Sequence, residues 1–149
     1  MARASVTPAI FYQDPKSAIA WLEKAFGFEL AMLIETPDGQ LSHSELRVGD
    51  GLIMVGTEWH EDTRSPKSIG GKNTQFLDIH IDDDIDGHCA RARVAGAEII
   101  QEPETQFYGD RTYRCRDPEG HLWTIGQTVK AVTREEAEQA SGLKIQGWT

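Results

Sequence analysis

Residues 6–27, VTPAIFYQDPKSAIAWLEKAFG, and residues 75–96, QFLDIHIDDDIDGHCARARVAG, form the pattern that decides the fold. They match when the chain is aligned with itself at an offset of 69 positions, and the match continues beyond them without a gap. The identical pairs are Ile10 and Ile79, Asp14 and Asp83, Gly27 and Gly96, Glu29 and Glu98, Arg47 and Arg116, and Gly51 and Gly120. Several of them fall where backbone geometry is most demanding, so we interpret the chain as a duplicated unit.

The first copy has the pattern of one helix among four strands. Asp14 and Pro15 mark a helix start, because aspartate caps free amides and proline at the first helical position loses no hydrogen bond. Ile19, Leu22 and Phe26 recur at helical spacing, and the glycine that follows can end the helix. Strands are predicted at residues 7–12, 28–35, 40–48 and 52–57. The predicted order is βαβββ.

The second copy repeats this order. Residues 75–81 alternate, with Phe76, Asp78 and His80 on the face opposite the aliphatic side chains. A helix is predicted from about residue 85 to 95, followed by strands at 97–102, 112–116 and 121–128. We therefore divide one predicted domain, 1–149, into a first module at 5–58, a linker at 59–73, a second module at 74–130 and a tail at 131–149 with one short helix.

Neither module can bury both its helix face and its sheet face alone. Two βαβββ modules placed side by side bury these faces, with the helices on the convex side of a curved mixed sheet and a concave cleft on the other side. The sequence thus predicts an α+β fold, and the cleft is the expected place of function.

Composition excludes several classes of partner. The formal net charge of −9 argues against nucleic acid, because phosphate binding needs a basic face. No apolar signal core or membrane-length apolar window is present, so we expect no membrane partner. Cys89 and Cys115 lack metal-binding or redox spacing and are interpreted as reduced, packed thiols of a cytoplasmic protein.

Two segments carry a family resemblance. Residues 117–123, DPEGHLW, resemble the D-P-x-G ending of the second module in the vicinal oxygen chelate superfamily, the glyoxalase, bleomycin-resistance and extradiol-dioxygenase group. Residues 107–111, FYGDR, resemble a loop of its bleomycin-resistance-like branch. The resemblance covers about residues 5–130. It implies the paired-module fold and a homodimer, but it leaves activity open, because one fold hosts enzymes and metal-free drug-binding proteins alike.

The resemblance also tells where a metal would be bound. Metal-dependent members hold it on the first and last strands of each module, which here places the positions at Thr7, Val55, Phe76 and Thr124. None is a histidine, carboxylate or cysteine, the donors that a divalent metal requires. We therefore expect neither a metal nor a cofactor at the family site.

The candidate ligand-binding residues are polar or aromatic side chains expected to face the cleft. They are Phe11, His43, Glu45, Phe76, Asp78, His80, Tyr108, Arg111, Arg114 and Thr124. Arg114 can fork onto a ligand carboxylate or phosphate, or form a salt bridge with Glu45 or Asp78. The polar strand residues can instead be solvent-facing, Phe11 can belong to the core, and Arg111 can lock its own loop with Asp110.

Three functions are consistent with this pattern. The first is metal-independent binding or sequestration of a small aromatic or amphipathic molecule, as in antibiotic resistance of the bleomycin-resistance type. The second is an enzyme, a glyoxalase-like lyase or isomerase with a relocated metal or acid–base site at His43, Glu45 and His80. The third is an assembly surface, with the tail helix and Trp148 docked on a partner subunit.

Overall fold

The computed structural model describes residues 3–149. In the first module the observed elements are β1 (Ala9–Tyr12), α1 (Pro15–Phe26), β2 (Glu29–Glu35), β3 (Leu41–Val48) and β4 (Gly51–Thr57). In the second they are β5 (Phe76–His80), α2 (Ile85–Val94), β6 (Glu98–Thr105), β7 (Asp110–Arg116) and β8 (Leu122–Thr128). A 3-10 turn (Pro66–Ile69) lies in the linker, and α3 (Arg134–Ser141) lies in the tail. The predicted βαβββ repeat and the α+β class are confirmed.

The strands form two four-stranded sheets with the same topology. The first sheet has the order β1-β4-β3-β2, and the second has the order β5-β8-β7-β6. In each sheet the first and last strands of the module pair in parallel, and the other neighbours pair in antiparallel fashion. Each edge strand carries a bulge at the equivalent position, between Leu30 and Met32 in β2 and between Ile99 and Gln101 in β6. The repeated bulge supports the duplication.

The β6–β7 hairpin differs from its predicted boundaries. β6 runs on to Thr105 through Pro103, where a strand end at residue 102 was expected, and β7 begins at Asp110 instead of 112. Proline is tolerated in β6 because this strand lies at the sheet edge, where every second backbone N–H points away from the sheet and pairs with no strand. Residues 107–108 are therefore the tip of a tight hairpin, closed by the Gln106 N–H donating to the Asp110 carbonyl at 2.7 Å.

The local signals that predicted α1 act as expected. The Asp14 carboxylate accepts the Ser17 N–H at 3.1 Å, and Pro15 starts the helix. Gly27 ends it in the left-handed conformation, with φ of 73°. The helix buries one stripe of apolar side chains against its own sheet, including Ile19 and Leu22. No described helix, within residues 3–149, is long and apolar enough to cross a membrane.

The core lies between the helices and the helix-facing side of each sheet. Its centre is an aromatic cluster in which Phe26 and Phe28 of the first module contact Trp123 of the second, with ring centroids 5.3 and 5.8 Å apart. The two helices are joined by Arg91, whose Nε donates to the Lys24 carbonyl at 2.7 Å. A cation is favourable at this place, because the carbonyls at a helix C-terminus carry partial negative charge.

The buried Asp117 carboxylate fixes how the modules meet. Its Oδ1 accepts the backbone N–H groups of Glu119 and His121, at 3.1 and 3.0 Å. Its Oδ2 accepts the Tyr12 hydroxyl of the first module at 2.6 Å and the indole N–H of Trp123 at 3.1 Å. Burial, followed by the charge of Asp117, raises the pKa of Tyr12 well above its usual value, so this hydroxyl stays a donor.

The rest of the same turn binds the first module and the linker. The Glu119 carboxylate accepts the N–H of Gln13 at 2.7 Å, the N–H of Asp14 at 3.0 Å and the Ser65 hydroxyl at 2.7 Å. His121 contacts the Phe11 carbonyl through Nε2 at 2.7 Å, so it lies at the module joint. The DPEGH turn is therefore a clamp between the modules.

The clamp predicts a large loss of stability for Asp117→Asn. The amide has one oxygen, so its NH2 group must face two donors whichever way the side chain turns. We expect the free energy of unfolding to fall by about 2–4 kcal/mol, because buried donors to a charged group lose their acceptor. Urea unfolding measures it, and Asp50→Asn in an exposed turn is the control. A loss below ~0.5 kcal/mol would show that the carboxylate is not needed.

Candidate functional site

The face of the second sheet opposite the helices gathers half of the predicted binding residues. We call it the second-sheet face, and it comprises Phe76, Asp78, His80, Arg114 and Thr124. Asp78, Thr124 and Arg114 lie in one row across three neighbouring strands, because β5 pairs with β8 and β8 pairs with β7 at these positions. Phe76 lies at one end of the face and His80 toward the other. The sheet register alone therefore brings them together.

Arg114 is held in place but keeps donors for a ligand. Its Nε donates to the Thr124 hydroxyl at 3.1 Å, and its guanidinium lies 5.3 Å from the centre of the Phe76 ring. Within residues 3–149 its two terminal nitrogens donate to no other protein group. It forms no salt bridge with Glu45 or Asp78 there, which was the alternative interpretation. A fixed guanidinium beside an aromatic ring can bind an oxygen acceptor on a flat molecule.

Acidic and basic side chains on the face shift the pKa of Asp78 in opposite directions. Partial burial raises the pKa of Asp78, the neighbouring Asp110 raises it further, and His80 and Arg114 act in the opposite direction. His80 Nε2 accepts the Thr128 N–H at 3.3 Å, while the Thr128 hydroxyl donates to Asp110 at 2.8 Å. Asp110 and Thr128 thus extend the face, although the sequence did not single them out for binding.

His43 and Glu45 lie on the other sheet. The His43 ring meets the Glu45 carboxylate at 2.8 Å, Arg3 approaches the same oxygen at 3.6 Å, and the hydrogen bond from His43 lowers the pKa of Glu45. A relocated metal site would need His80 beside this pair. In the part of the chain that the structure describes, no three His, Cys, Asp or Glu side chains come close enough to hold a metal ion. The predicted relocated set is therefore not assembled within residues 3–149.

Two other predicted residues have different surroundings. Phe11 lines a cavity of about 290 Å³ at the module joint, which Phe76 also lines from the second module. Arg111 points to the opposite side of its sheet from Arg114, where Nη2 donates to Asp86 of α2 at 3.0 Å and Nη1 to Thr105 at 3.3 Å. Its guanidinium therefore joins β7 to α2. It does not form the predicted lock with Asp110.

A second cavity, of about 480 Å³, lies where the second-sheet face meets the tail. Its lining includes Tyr108, Asp110, Thr128, Val132 and Trp148. The sequence predicted Tyr108 as a pocket residue, and one of the three interpretations placed Trp148 against a partner subunit. Within this chain the tail folds back, and the Trp148 indole N–H donates to the Val132 carbonyl at 3.1 Å. No local sequence pattern predicted this placement.

Comparison with known protein families identifies the family of this chain. A family model described as the Glyoxalase/Bleomycin resistance protein/Dioxygenase superfamily matches residues 5–125. The chain belongs to this superfamily. An uncharacterised protein of Mycobacterium bovis is 32% identical to it over 148 residues, covering 96% of this chain and 95% of the relative. This match therefore reaches into the tail, which lies beyond the superfamily match at residues 5–125.

Solved structures of the superfamily show the same fold. TioX from Micromonospora sp. ML1 is 32% identical and superposes with a TM-score of 0.69, covering 85% of this chain and 99% of TioX. A glyoxalase/bleomycin resistance protein/dioxygenase family enzyme from Burkholderia phytofirmans is 22% identical, with a TM-score of 0.62 over 83% of this chain and 97% of its own. The fosfomycin resistance protein FosX of Listeria monocytogenes, complexed with Mn(II) and sulfate, is 17% identical with a TM-score of 0.60. The match covers 94% of this chain and 98% of FosX.

The sheet registers correct one of the four superfamily metal positions. Asp78 pairs with Thr124, but its equivalent Ala9 pairs with Met54 and not Val55. The β3–β4 turn is one residue shorter than the β7–β8 turn, so the ungapped offset fails beyond it. A slip of one residue turns a side chain to the other face, and Val55 is accordingly buried against the helix layer.

The corrected positions still do not suit a divalent metal. They are Thr7, Met54, Phe76 and Thr124. A thioether is a soft ligand, a phenyl ring is none, and hydroxyls alone hold such ions poorly. The superfamily metal does not fit these residues.

Gly109 tests how the tail is attached. It has φ of 99°, and a Cβ there would lie 2.1 Å from the Lys130 carbonyl oxygen, whereas Gly39, with φ of 84°, has nothing within 4 Å. Both Gly→Ala substitutions strain the backbone, but only Gly109→Ala pushes the tail away. We expect it to cost at least ~2 kcal/mol more than Gly39→Ala in urea unfolding. We also expect faster trypsin cleavage after Lys130 and Arg134, and equal behaviour of the two variants would contradict the attachment.

Proposed function

We propose that this protein binds a small aromatic or amphipathic molecule on the second-sheet face without the help of a metal. The observation that carries the proposal is Arg114, fixed by Thr124 and Phe76 with its terminal nitrogens left available. Binding needs an apolar wall, a few oriented polar groups and partial enclosure. Phe76, which is 48% exposed, supplies the wall.

Each residue of the face has a distinct part in the proposal. The Phe76 ring stacks on a flat ligand, while Arg114 donates to a ligand carbonyl or carboxylate next to the ring. Asp78 and His80 contact polar groups farther along the same face. No group is placed as a nucleophile beside a base, so retention of the ligand, and not its conversion, is the function that these residues support. Sequestration of this kind is what the resemblance to the bleomycin-resistance-like branch implies.

The proposal includes a cytoplasmic homodimer. The edge strand β2 exposes Leu30, Met32, Leu33 and Ile34, whereas the equivalent edge strand β6 carries a proline and several glutamates. Proline and charge protect an edge from pairing, and exposed aliphatic side chains favour a covering partner. We propose that a second copy covers β2. Sedimentation as a monomer at micromolar concentration would exclude this part of the proposal.

The alternative is a metal-dependent lyase or isomerase that uses His43, Glu45 and His80. The close His43–Glu45 pair is the one observation that favours it. His80 of the same chain does not come close enough to this pair, within residues 3–149, to complete a metal site. The third ligand would therefore have to come from a second subunit. A metal-selective rise in melting temperature after chelator treatment, lost in His43→Ala, would establish it in place of the binding function.

The ligand-binding proposal predicts saturable binding of a flat aromatic probe in EDTA. We expect 2-naphthamide or 2-naphthoate to bind once per chain by calorimetry. Arg114→Met should weaken this binding about 10-fold or more, because a charge-assisted hydrogen bond is worth ~1.5–3 kcal/mol. Arg47→Met on the first sheet is the matched control and should change little. If neither probe saturates the protein, or if binding depends on added metal, the proposal is wrong.

A further inference from the structure

The C-terminal tail is organised by specific contacts although its last residues form no helix or strand. Arg134 at the start of α3 donates to the Ile145 carbonyl at 3.2 Å, and Glu138 accepts the Ile145 N–H at 3.2 Å. Ala137 of α3 is fully buried. The final turn then brings Trp148 onto the Val132 carbonyl. An ordered return of this kind costs backbone entropy and needs compensating contacts.

The start of the tail is fastened to the hairpin tip. The Gly109 carbonyl accepts the N–H groups of Val129 and Lys130, at 3.0 and 3.1 Å. This attachment fixes Tyr108, the neighbour of Gly109, beside the segment that holds Trp148. Both rings line the 480 Å³ cavity and remain partly exposed, at 41% for Tyr108 and 42% for Trp148. Two aromatic side chains from distant parts of the chain therefore border one open cavity.

The cavity wall carries a carboxylate beside its two aromatic rings. Asp110 lies on its wall, held by the Thr128 hydroxyl. Burial raises the pKa of Tyr108, the charges of Asp110 and Asp78 raise it further, and Arg114 opposes them. Lys130 also lines the cavity. Aromatic faces beside a carboxylate attract an organic cation through the ring quadrupole and the charge together.

We infer that Trp148, Tyr108 and Asp110 form a subsite for the cationic end of a ligand, a protonated amine or quaternary ammonium group. The inference rests on the proposed function and names the chemical class that this end of the site selects. Arg114 lies four residues away along the strands, about 13 Å at the usual rise. The tail is thus a wall of the binding site, supplied by a segment beyond the superfamily match at residues 5–125.

A matched pair of probes tests the subsite. 1-Naphthylmethylamine is cationic at pH 7, and 1-naphthylmethanol is its neutral analogue of nearly the same shape. We expect the intact protein to bind the amine more tightly than the alcohol, by roughly two- to fivefold for each favourable aromatic or charged contact. The preference should shrink as salt is raised, since exposed charges are screened. Calorimetry in EDTA measures both affinities.

Three variants separate the contributions. Trp148→Ala and Asp110→Asn should each reduce the preference for the amine and leave the affinity for the alcohol nearly unchanged. The amide oxygen that Asp110→Asn introduces can still accept from Thr128, so this variant keeps the local structure. Trp148→Phe keeps a ring without the indole donor and should retain part of the preference. Trp59→Ala, in the linker and 71% exposed, is the control and should behave as the intact protein.

The outcomes distinguish this inference from the proposed function. Equal affinity for amine and alcohol in the intact protein, or a preference that survives both Trp148→Ala and Asp110→Asn, would overturn the cationic subsite. If 2-naphthamide binds and the amine does not, the subsite is wrong and the binding function stands. If no naphthalene probe binds, both fail.

Discussion

The structure depends on one buried carboxylate. Asp117 accepts four hydrogen bonds, two from its own turn and two from Tyr12 and Trp123 on either side of the module joint. A carboxylate can be buried only when its oxygens are satisfied in this way. With both oxygens occupied, the turn, the first strand and the aromatic cluster have a single relative arrangement. The rigid placement of the second sheet, and so of its open face, follows from this joint.

The two copies keep one scaffold and have diverged on their open faces. The row Met32, Glu45, Met54 and Ala9 of the first sheet corresponds to Gln101, Arg114, Thr124 and Asp78 of the second. One row is largely apolar with a single carboxylate, and the other is polar throughout. An apolar face suits the contact with another protein surface that we propose, whereas a polar row beside an aromatic ring suits a small molecule. Under the proposed function, duplication allows one copy to form the protein contact while the other binds the ligand.

The sequence predicted the repeat, the βαβββ order and the polar faces of the strands, because caps, turns and alternation are local signals. It placed Val55 on the wrong face, since a one-residue difference between two turns is invisible to an ungapped comparison and reverses every side chain after it. The contact of Arg111 with Asp86 and the return of Trp148 to Val132 join residues far apart in the chain. Such contacts come from tertiary packing, which spacing does not encode. The binding residues themselves remain predictions.

Mapping where a probe binds tests most directly whether the second-sheet face holds the ligand without a metal. Two-dimensional NMR of the 15N-labelled protein in EDTA, titrated with 2-naphthoate, reports on every backbone amide. We predict saturable shifts at Phe76, Asp78, Arg114 and Thr124, with amides around His43 and Glu45 unaffected. Shifts confined to the first sheet, or shifts that appear only after a divalent metal is added, would contradict metal-free binding on this face.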